Sequence, residues 1–407
     1  MGVRPADPGK SSRVATEVVR VQGRVMEMSF YSLRAVPLVW STLGLLNHCQ
    51  PVGPRPEQAY GYLILGHVAN GILVSSLADA WCRRALDIAE QIGTPRDVAW
   101  MLSRNAAYQV GRGWWADADA GVHRAVEITR NMGDLRLWAE CYGQMGLVAL
   151  YSGQFERGLQ AWAEAERLSR RSDNRQVECW ALIGRADILV RLGLYEEALV
   201  LYEQGIRKID LDAMKTEVIW AFGMSALARL RTGDERGAYE AADRALAYIV
   251  GVTPVAYWTL QGMAATAEVF LSLYEGASER DGRLRSALAR RARGACRGLR
   301  RYRRRMALGG PHTFLWCGLR AWLRGRRSRA FRLWRRSLTL AEALQMPYER
   351  ARAAFEIGRH LAPDADGRRH HLHQAADLFE RLGAAADLER ARRELSTGEA
   401  ALPARRA

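Results

Sequence analysis

Proline is scarce in this sequence, with 12 among 407 residues, while the helix-forming residues Ala, Leu, Arg and Glu occur throughout. Because proline interrupts helix interiors, this composition predicts an all-α chain. Hydrophobic residues make up 49% of the total, which is enough for a substantial core and excludes wholesale disorder. The length suits two or three ordinary domains or one elongated array.

Cysteine is also sparse, and no two cysteines form a Cys-x-x-Cys pair. The six are Cys49, Cys82, Cys141, Cys179, Cys296 and Cys317. Their apolar helical context predicts buried, reduced thiols rather than a disulfide or metal framework. The N-terminal sequence MGVRPADPGKSSR lacks the apolar segment of a secretory signal, and the apolar run at 36–46 is too short to span a bilayer. We therefore expect a soluble, cytoplasmic protein.

Catalytic signatures are missing as well. PGKSS at 8–12 ends like a phosphate-binding loop, but Arg4 stands where such a loop needs glycine, and no apolar strand precedes it. HHLH at 370–373 offers at best half of a metal site and is interpreted as a surface cluster. Gly-x-Ser-x-Gly and His-Glu-x-x-His are absent. The sequence thus predicts no enzyme, no metal and no cofactor.

A repeat with a step of 40 residues runs through the chain. It relates four glycines, which are Gly113, Gly153, Gly193 and Gly233. Small residues recur five and twelve positions after each glycine, at Ala118, Gly158, Ala198 and Ala238, and at Ala125, Ala165, Gly205 and Ala245. Such constant spacing is typical of a repeat array.

Helix packing explains why these positions are small. Apolar residues before and after each glycine recur at intervals of three and four, which predicts two helices joined by a tight turn. Small side chains let the two helices cross closely, and glycine at the turn tolerates a left-handed C-cap. We therefore interpret Gly153 and Trp162, in LYSGQFERGLQAW at 150–162, as structural rather than catalytic.

The repeat resembles the tetratricopeptide repeat. MGLVA at 145–149 and LGHVA at 65–69 match its first helix, and Gly-x-aromatic-x-x-Ala matches its turn. The usual unit of that family has 34 residues. The longer unit, and the ending AADLFERLGAAADLERARREL at 375–395, are similar to the C-terminal helical regions of large bacterial signal-transduction ATPases, which often carry cyclase or kinase heads. The resemblance covers roughly residues 20–395.

This resemblance implies an all-α, right-handed α-α superhelix of eight or nine helical hairpins. The predicted organisation is a disordered N-terminus at 1–11, a degenerate leading helical pair at 12–56, five to six regular repeats at 57–274, arginine-rich irregular repeats and C-terminal helices at 275–396, and a disordered tail at 397–407. From Gly233 to the next equivalent glycine, Gly325, the chain runs two units plus about a dozen residues. We place that excess at 275–282.

Family resemblance puts a partner-binding groove on the inner wall, which is lined by the first helix of each hairpin. The candidate contact residues share three registers of those helices and are Tyr60, His67, Trp100, Tyr151, Trp180, Asp187, Arg191, Trp220 and Arg231. A row of tryptophans with arginines nearby suits a bound peptide. The alternative is that these tryptophans fill space between hairpins.

Acidic residues are missing over one long stretch. The chain has a net charge of +16, and the 54 residues from Arg283 to Arg336 hold 19 arginines without one Asp or Glu. Such a face attracts anions, either nucleic acid or acidic protein. The candidate anion contacts are Arg300, Arg301, Arg304, Arg305, Arg326 and Arg327. The alternative is a merely solvated face, since 57 arginines against three lysines indicate a compositional bias.

The sequence as a whole predicts a non-catalytic protein-interaction scaffold or sensory-regulatory module that binds a protein or peptide on its concave face. Two other functions stay open. One is a nucleic-acid-binding transcriptional regulator that uses residues 283–336. The other is the detached regulatory region of a signalling ATPase, adenylate cyclase or kinase.

Overall fold

The computed structural model describes residues 8–31, 34–49, 55–71, 74–252, 256–278 and 280–400. Within these ranges all regular structure is helical, with nineteen α-helices and one short 3-10 helix. The helices are α1 (Pro8–Tyr31), α2 (Ala35–Cys49), α3 (Pro56–Gly71), α4 (Ser75–Ile92), α5 (Pro95–Arg112), α6 (Trp115–Met132), α7 (Leu135–Ser152), α8 (Phe155–Arg171), α9 (Arg175–Leu192), α10 (Tyr195–Ile206), α11 (Lys215–Arg231), α12 (Glu235–Gly251), α13 (Thr259–Gly276), α14 (Gly282–Arg303), α15 (Gly310–Trp322), α16 (Arg327–Ala343), α17 (Pro347–His360), α18 (Asp366–Arg381) and α19 (Ala385–Ala400). The 3-10 helix, Ala307–Gly309, precedes α15.

The chain divides into two compact units. Unit 1 comprises Met1–Gln109 and Ala116–Cys141, and unit 2 comprises Val110–Trp115 and Tyr142–Ala407. Along the described chain the helices follow one another as nine pairs, with α19 last. The odd-numbered helices α1 to α17 are the first helices of these pairs, and the even-numbered ones are the second helices. The predicted all-α array of eight or nine hairpins is confirmed.

The glycines of the 40-residue step end first helices, as predicted. Each adopts a left-handed conformation with φ between 71° and 89°, at Gly113, Gly153, Gly193, Gly233 and Gly325. After α9, the backbone N–H of Leu194 donates to the carbonyl of Leu189 over 2.9 Å, which satisfies a carbonyl at the helix end. Residues with a Cβ atom are strained in this conformation, so the sequence signal has a direct backbone cause.

The small residues lie at helix junctions, as predicted. A Cβ atom on Gly158 of α8 would come within 2.5 Å of Ile188 in α9, and one on Gly205 of α10 would come within 3.1 Å of Ile183. The alanines of the same two registers are fully buried, and in unit 2 they are Ala165, Ala198, Ala238 and Ala245. Small side chains therefore set how closely neighbouring helices approach.

Glycines within first helices accommodate the large aromatic residues of second helices. The fully buried ring of Trp162 in α8 lies where a Cβ atom on Gly146 of α7 or Gly184 of α9 would collide with it, at 2.5 and 2.2 Å. Trp334 of α16 occupies the same kind of space beside Gly318 of α15, at 2.4 Å. The stretch LYSGQFERGLQAW at 150–162 thus has a structural role that recurs in other repeats.

The irregular part of the array differs from the prediction. The extra residues after Gly233 are not confined to 275–282. They are spread over a longer connection between α12 and α13, the five residues 277–281 between α13 and α14, and the 22-residue helix α14, where the regular second helices α8 and α12 have 17. Residue 279 lies outside the described residues.

The chain ends also differ in part from the prediction of disorder. Helix α1 begins at Pro8 and α19 ends at Ala400, so 8–11 and 397–400 are helical. Residues 1–7 and 401–407 lie outside the described residues. Among the described helices, none is long and apolar enough to cross a membrane.

The contact between Gly184 and Trp162 can be tested by adding one methyl group. We expect Gly184→Ala to lower the free energy of unfolding by about 1–3 kcal/mol, because the new Cβ overlaps a ring that cannot move within a close-packed core. Chemical denaturation followed by circular dichroism measures this.

Gly276→Ala is the matched control, since a Cβ atom at the end of α13 meets open space. It should change stability by at most about 0.5–1 kcal/mol, in the stabilising direction. Equal losses in both variants would contradict the packing explanation.

Candidate functional site

In unit 1, two of the predicted contact residues line a cleft. The ring of Tyr60 in α3 meets that of Trp100 in α5 edge-on, with centroids 4.8 Å apart. The cleft has a volume of about 350 Å³, which is within the range of small-ligand sites. Three helices line it through Arg20, Gly23, Arg24, Met26 and Glu27 of α1, Pro56, Glu57 and Tyr60 of α3, and Arg96, Asp97 and Trp100 of α5.

A capping box fixes one wall of this cleft. The Thr94 hydroxyl donates to Asp97 over 2.7 Å, and the Asp97 backbone N–H faces that hydroxyl at 3.3 Å, at the start of α5. The other oxygen of Asp97 accepts a hydrogen bond from the Tyr60 hydroxyl. Burial, followed by this hydrogen bond, raises the pKa of Tyr60, so its hydroxyl remains a donor at neutral pH. Tyr60 is thereby held in one orientation.

His67 lies deeper in unit 1. Its ring meets that of Tyr108 edge-on at 6.0 Å, and burial lowers its pKa to about 4 against the opposing effect of a hydrogen bond with the Arg104 backbone. It is therefore neutral at pH 7. Arg104 itself forms a buried ion pair with Glu140. These residues belong to the interior of unit 1.

In unit 2, Asp187 and Trp220 form part of the interior. The Asp187 carboxylate is fully buried and accepts hydrogen bonds from the Tyr202 hydroxyl and from Nε1 of Trp220, both over 2.6 Å. The Trp220 ring in turn packs against Trp162 at 6.3 Å. A direct contact between a partner and either predicted residue would require this network to open.

Trp180 and Tyr151 are held by other contacts. Nε1 of Trp180, which is half-buried, donates to Glu217 over 2.8 Å, and its ring lies 6.2 Å from that of Trp258. The buried Tyr151 hydroxyl donates to the Tyr257 carbonyl over 3.3 Å. The four residues of the aromatic register therefore divide between the cleft of unit 1 and two different environments in unit 2.

First helices of unit 2 bring charged side chains together in the interior. We call the following residues the inner charge cluster, all of them buried: Arg191 of α9, Glu268 of α13, His312 of α15, and Tyr348, Glu349 and Arg352 of α17. Together with Met224 and Leu227 of α11 they line a small cavity of about 20 Å³. Five consecutive first helices thus contribute to one site.

Arg191 joins α9 to α17. Its guanidinium lies 4.1 Å from the centre of the Tyr348 ring and 3.8 Å from a carboxylate oxygen of Glu349. A hydrogen bond to the side chain of Gln261 adds a contact with α13. The Tyr348 hydroxyl donates to Asp387 of α19 over 2.5 Å. Arg191 was predicted as a contact residue, and the structure places it at the centre of this cluster.

Arg352 and Glu268 form the second pair of the cluster. Their ion pair spans 2.7 Å, and Arg231, another predicted contact residue, also pairs with Glu268. Burial alone would raise the pKa of Glu268, but Arg352 and Arg231 outweigh it and hold this pKa below its usual value. Arg352 also lies over the Trp316 ring at 5.2 Å.

His312 and Glu349, the remaining pair of the cluster, do not form a fully charged ion pair at pH 7. His312 Nε2 lies 3.5 Å from Glu349, but burial, aided by Arg191 and Arg352, lowers the pKa of His312 to about 3, so the ring is neutral at pH 7. Burial raises the pKa of Glu349 against the opposing effect of Arg191. Three buried atoms of the cluster have no hydrogen-bond partner, namely His312 Nδ1, Glu349 Oε2 and Arg352 Nε. Unsatisfied buried polar atoms are costly, which marks this part of the cluster as unusual.

Sequence reasoning found Arg191 and Arg231 but missed Glu268, His312, Glu349 and Arg352. The 40-residue register is interrupted between Gly233 and Gly325, so it could not be carried to α13, α15 and α17. A usable signal was present, since Glu268 is an isolated charge within TLQGMAATAEVFLSL at 259–273. An isolated charge in an otherwise apolar helix must find a partner in the interior.

The predicted anion contacts lie in α14, α16 and the adjoining turns. Arg300 and Arg304 are exposed, whereas Arg305 is half-buried. Arg301 donates to the carbonyls of Val250 and Val252 over 2.9 Å and so satisfies the end of α12. Arg326 and Arg327 are exposed at the start of α16. Anion binding by these residues stays a prediction.

All six cysteines are buried free thiols, as predicted. One of them differs electrostatically from the rest. A hydrogen bond with Cys296 lowers the pKa of Cys317 against the opposing effect of burial, and Arg300 lowers it further. The same hydrogen bond, followed by burial, raises the pKa of Cys296, and burial raises that of Cys82 and Cys141 to about 12. Among the described residues, no group of three or more His, Cys, Asp or Glu side chains is arranged to hold a metal ion.

No protein-family model matches this sequence, and no curated protein matches it either. Solved structures do resemble the chain. A Rap protein complexed with Competence and Sporulation Factor aligns with a TM-score of 0.60 and 12% identity over 94% of this chain and 98% of its own. The apo form of the quorum sensor NprR from B. thuringiensis aligns with a TM-score of 0.55 and 13% identity, over 89% and 99%.

The apo form of RapI aligns with a TM-score of 0.50 and 11% identity, over 95% of this chain and 99% of its own. These structures are TPR-like helical-repeat proteins, which confirms the predicted TPR-like superhelical fold. Identities this low concern the fold alone. The resemblance to signal-transduction ATPases stays a prediction.

Asp187 should make stability depend on pH. Burial raises its pKa to about 7 from 3.8, against its two hydrogen bonds, so between these values the folded state binds a proton that the unfolded state has lost. Stability from this group therefore falls as pH rises from about 4 to about 7. In Asp187→Asn this slope should be absent, because an amide does not titrate.

Urea unfolding of both proteins across that range isolates the contribution of Asp187, since all other titrating groups are shared. Parallel curves for the two proteins would contradict it. Asp187→Ala is the structural comparison. It should lose about 1–3 kcal/mol or more throughout, because Trp220 Nε1 and the Tyr202 hydroxyl lose their acceptor.

Cys317 should be the most acidic thiol of the chain. We expect ultraviolet absorbance of a thiolate at neutral pH that disappears in Cys317→Ser, while Cys82→Ser leaves it unchanged. In Cys296→Ala the signal should move to higher pH, because the thiolate loses its hydrogen-bond donor. A signal that survives Cys317→Ser would assign the thiolate elsewhere.

Proposed function

We propose that this chain is a non-catalytic regulatory binding module whose inner charge cluster holds a carboxylate of a peptide or of an extended protein segment. The observation that supports it best is the convergence of buried, incompletely paired charges from successive first helices on one cavity. A purely structural interior is better served by apolar side chains, because buried charges cost several kcal/mol each before they are paired.

The charge of the cluster favours an anionic group. Two arginines and two acids line the cavity, Arg191 and Arg352 against Glu268 and Glu349, and Arg231 outside the lining also pairs with Glu268. His312 is neutral at pH 7, and the raised pKa of Glu349 weakens its own negative charge. A surplus of arginine next to an unpaired Arg352 Nε suits a carboxylate, which arginine binds through paired N–H groups.

Entry of such a ligand involves a local rearrangement. A cavity of about 20 Å³ admits little more than a water molecule. The ion pair between Arg191 and Glu349, at 3.8 Å, is the longest of the cluster and so the easiest to separate. A ligand carboxylate would replace Glu349 at Arg191, and the peptide backbone would then lie across the first helices.

The solved structures of similar fold are compatible with this proposal. One is a Rap protein complexed with Competence and Sporulation Factor, and another is the quorum sensor NprR. Of the contact residues predicted from sequence, Arg191 and Arg231 belong to or adjoin the proposed site. Tyr60 and Trp100 offer a separate contact surface in unit 1, where His67 belongs to the interior. In unit 2, Tyr151, Trp180, Asp187 and Trp220 act in the proposal as support for the site.

A selection from random peptides displayed on phage tests the proposal, with selected sequences synthesised and their dissociation constants measured by fluorescence anisotropy. We expect selected peptides to share an acidic side chain or to need a free C-terminal carboxylate. Arg191→Gln should weaken their binding at least about tenfold, because a charge-assisted contact is lost. Glu349→Gln should strengthen it by about two- to fivefold, because a competing carboxylate is removed.

Glu356→Gln is the matched control, since it makes the same change on the same helix. Glu356 is equally buried, pairs with Arg359 over 3.0 Å and does not line the cavity. It should leave affinity within about twofold of the parent, and unfolding curves identify any variant that has lost its fold. Equal effects of Glu349→Gln and Glu356→Gln, or selected peptides that bind Arg191→Gln normally, would reject the site.

A further inference from the structure

Six arginines form a continuous row along α14 and its C-cap residue, Arg304. Arg283, Arg290, Arg297 and Arg304 follow at intervals of seven residues, with Arg293 and Arg300 between them, and all six are exposed. We call these six residues the arginine stripe. Seven residues are almost two helical turns, so the six share one face over about 31 Å. The opposite face of α14 is buried through Leu288, Ala292, Ala295, Leu299 and Tyr302.

Carboxylates of the described chain do not neutralise the arginine stripe, although Arg300 hydrogen-bonds to the Cys317 sulfur. None of its six members forms an ion pair with a described carboxylate, whereas Arg291, beside it on the same helix, pairs with Asp243 at 2.5 Å. Nearby acids therefore pair with arginines outside the stripe. Exposed arginines elsewhere in unit 2 commonly have acidic neighbours, as Arg167 has Glu164 at 2.7 Å and Arg236 has Glu240 at 3.0 Å.

A second row of positive charge continues this surface onto α16. Arg303 at the end of α14 and Arg336 of α16 both lie over the ring of Phe314, at 5.0 and 4.5 Å. Two guanidinium groups beside one ring concentrate positive charge, and a nearby anion would offset their mutual repulsion. The exposed arginines of α16 extend the charge, at Arg327, Arg329, Arg332 and Arg335.

The form of this surface distinguishes among polyanions. An amphipathic helix that binds lipid inserts its apolar face, but the apolar face of α14 is already buried in the fold. Acidic protein partners are held mainly by buried aromatic and apolar anchors, and the stripe consists of charge alone. A nucleic-acid backbone is a regular row of phosphates, and 31 Å corresponds to about nine base-pair steps of duplex DNA.

We propose that the arginine stripe, continued by the arginines of α16, is a binding surface for the phosphate backbone of double-stranded DNA. Guanidinium groups bind phosphate oxygens through paired N–H donors, so the contact needs no base recognition. The surface lies on second helices, whereas the inner charge cluster lies on first helices. The proposal is therefore independent of peptide binding.

Anisotropy of a fluorescent 30-base-pair duplex of arbitrary sequence, titrated with the full chain at several salt concentrations, tests this surface. Six phosphate contacts predict that the logarithm of the association constant falls against the logarithm of salt concentration with a slope of about −5. The triple variant Arg290→Gln, Arg297→Gln, Arg304→Gln should reduce that slope to about −3 and weaken binding at least about tenfold at low salt.

The control triple variant Arg83→Gln, Arg84→Gln, Arg171→Gln removes the same charge from exposed arginines elsewhere. It should keep the slope and bind within about threefold of the parent. Equal losses in the two triple variants would show that only net charge matters and would overturn the proposal. Absence of duplex binding at low salt would also overturn it, as would tighter binding to phosphatidylserine vesicles or to polyglutamate than to the duplex.

Discussion

The close approach of helices at glycine is the constraint on which unit 2 depends. Gly223 of α11 and Gly262 of α13 bring two backbones so near that a Cβ atom on Gly223 would lie 2.2 Å from the Gly262 carbonyl. Trp162 enters the space left by Gly146 and Gly184 in the same way. No larger side chain fits at these glycines, because protein interiors are packed as densely as organic crystals. A frame of this kind holds first helices in fixed register over long sequence distances.

That fixed register makes the inner charge cluster possible. A buried charge is tolerated only where its partner is held at bonding distance. Arg352 and Glu268 meet this condition although they are 84 residues apart in sequence. Asp187 shows the same dependence, because its two donors come from α10 and α11. The buried ion pairs and hydrogen bonds thus depend on the helix packing at the glycines. Because this packing fixes many hairpins in place, residues of one site can come from several of them.

The fold could be predicted from the sequence because its determinants are local. A glycine with positive φ and two small residues at fixed offsets appear in the four hairpins from α5 to α12, so one register read at Gly153 applies at Gly193 and Gly233. The candidate site could be predicted only in part. Arg191 and Arg231 belong to the regular register, but Glu268, Glu349 and Arg352 follow the irregular stretch between Gly233 and Gly325, where a count of 40 no longer identifies equivalent positions.

The sequence also could not tell a tryptophan that is hydrogen-bonded in the interior from a buried one that borders a cleft. Trp100 and Trp220 share a register, yet Trp220 donates its indole N–H to Asp187, whereas Trp100 borders a cleft. The difference is decided by the neighbouring hairpin: Asp187 of α9 offers Trp220 an acceptor. Asp187 lies 33 residues from Trp220, so the residue pattern of a single helix cannot predict this hydrogen bond.

The hairpin imposes different rules on the charges of its two helices. Helix α13 is buried at every position from Thr259 to Leu271, because it packs between neighbouring hairpins, so a charge such as Glu268 must be paired there. Helix α14 buries one face only, and its other face accepts any number of solvated arginines at little cost to stability. Arginine can therefore accumulate on second helices without affecting the fold, while a buried arginine on a first helix, such as Arg191 or Arg352, needs an acid or a ring as its partner. Arginine consequently has different roles on the two helices. Arg352 makes a contact within the fold, whereas any contact of the exposed Arg297 would be with another molecule.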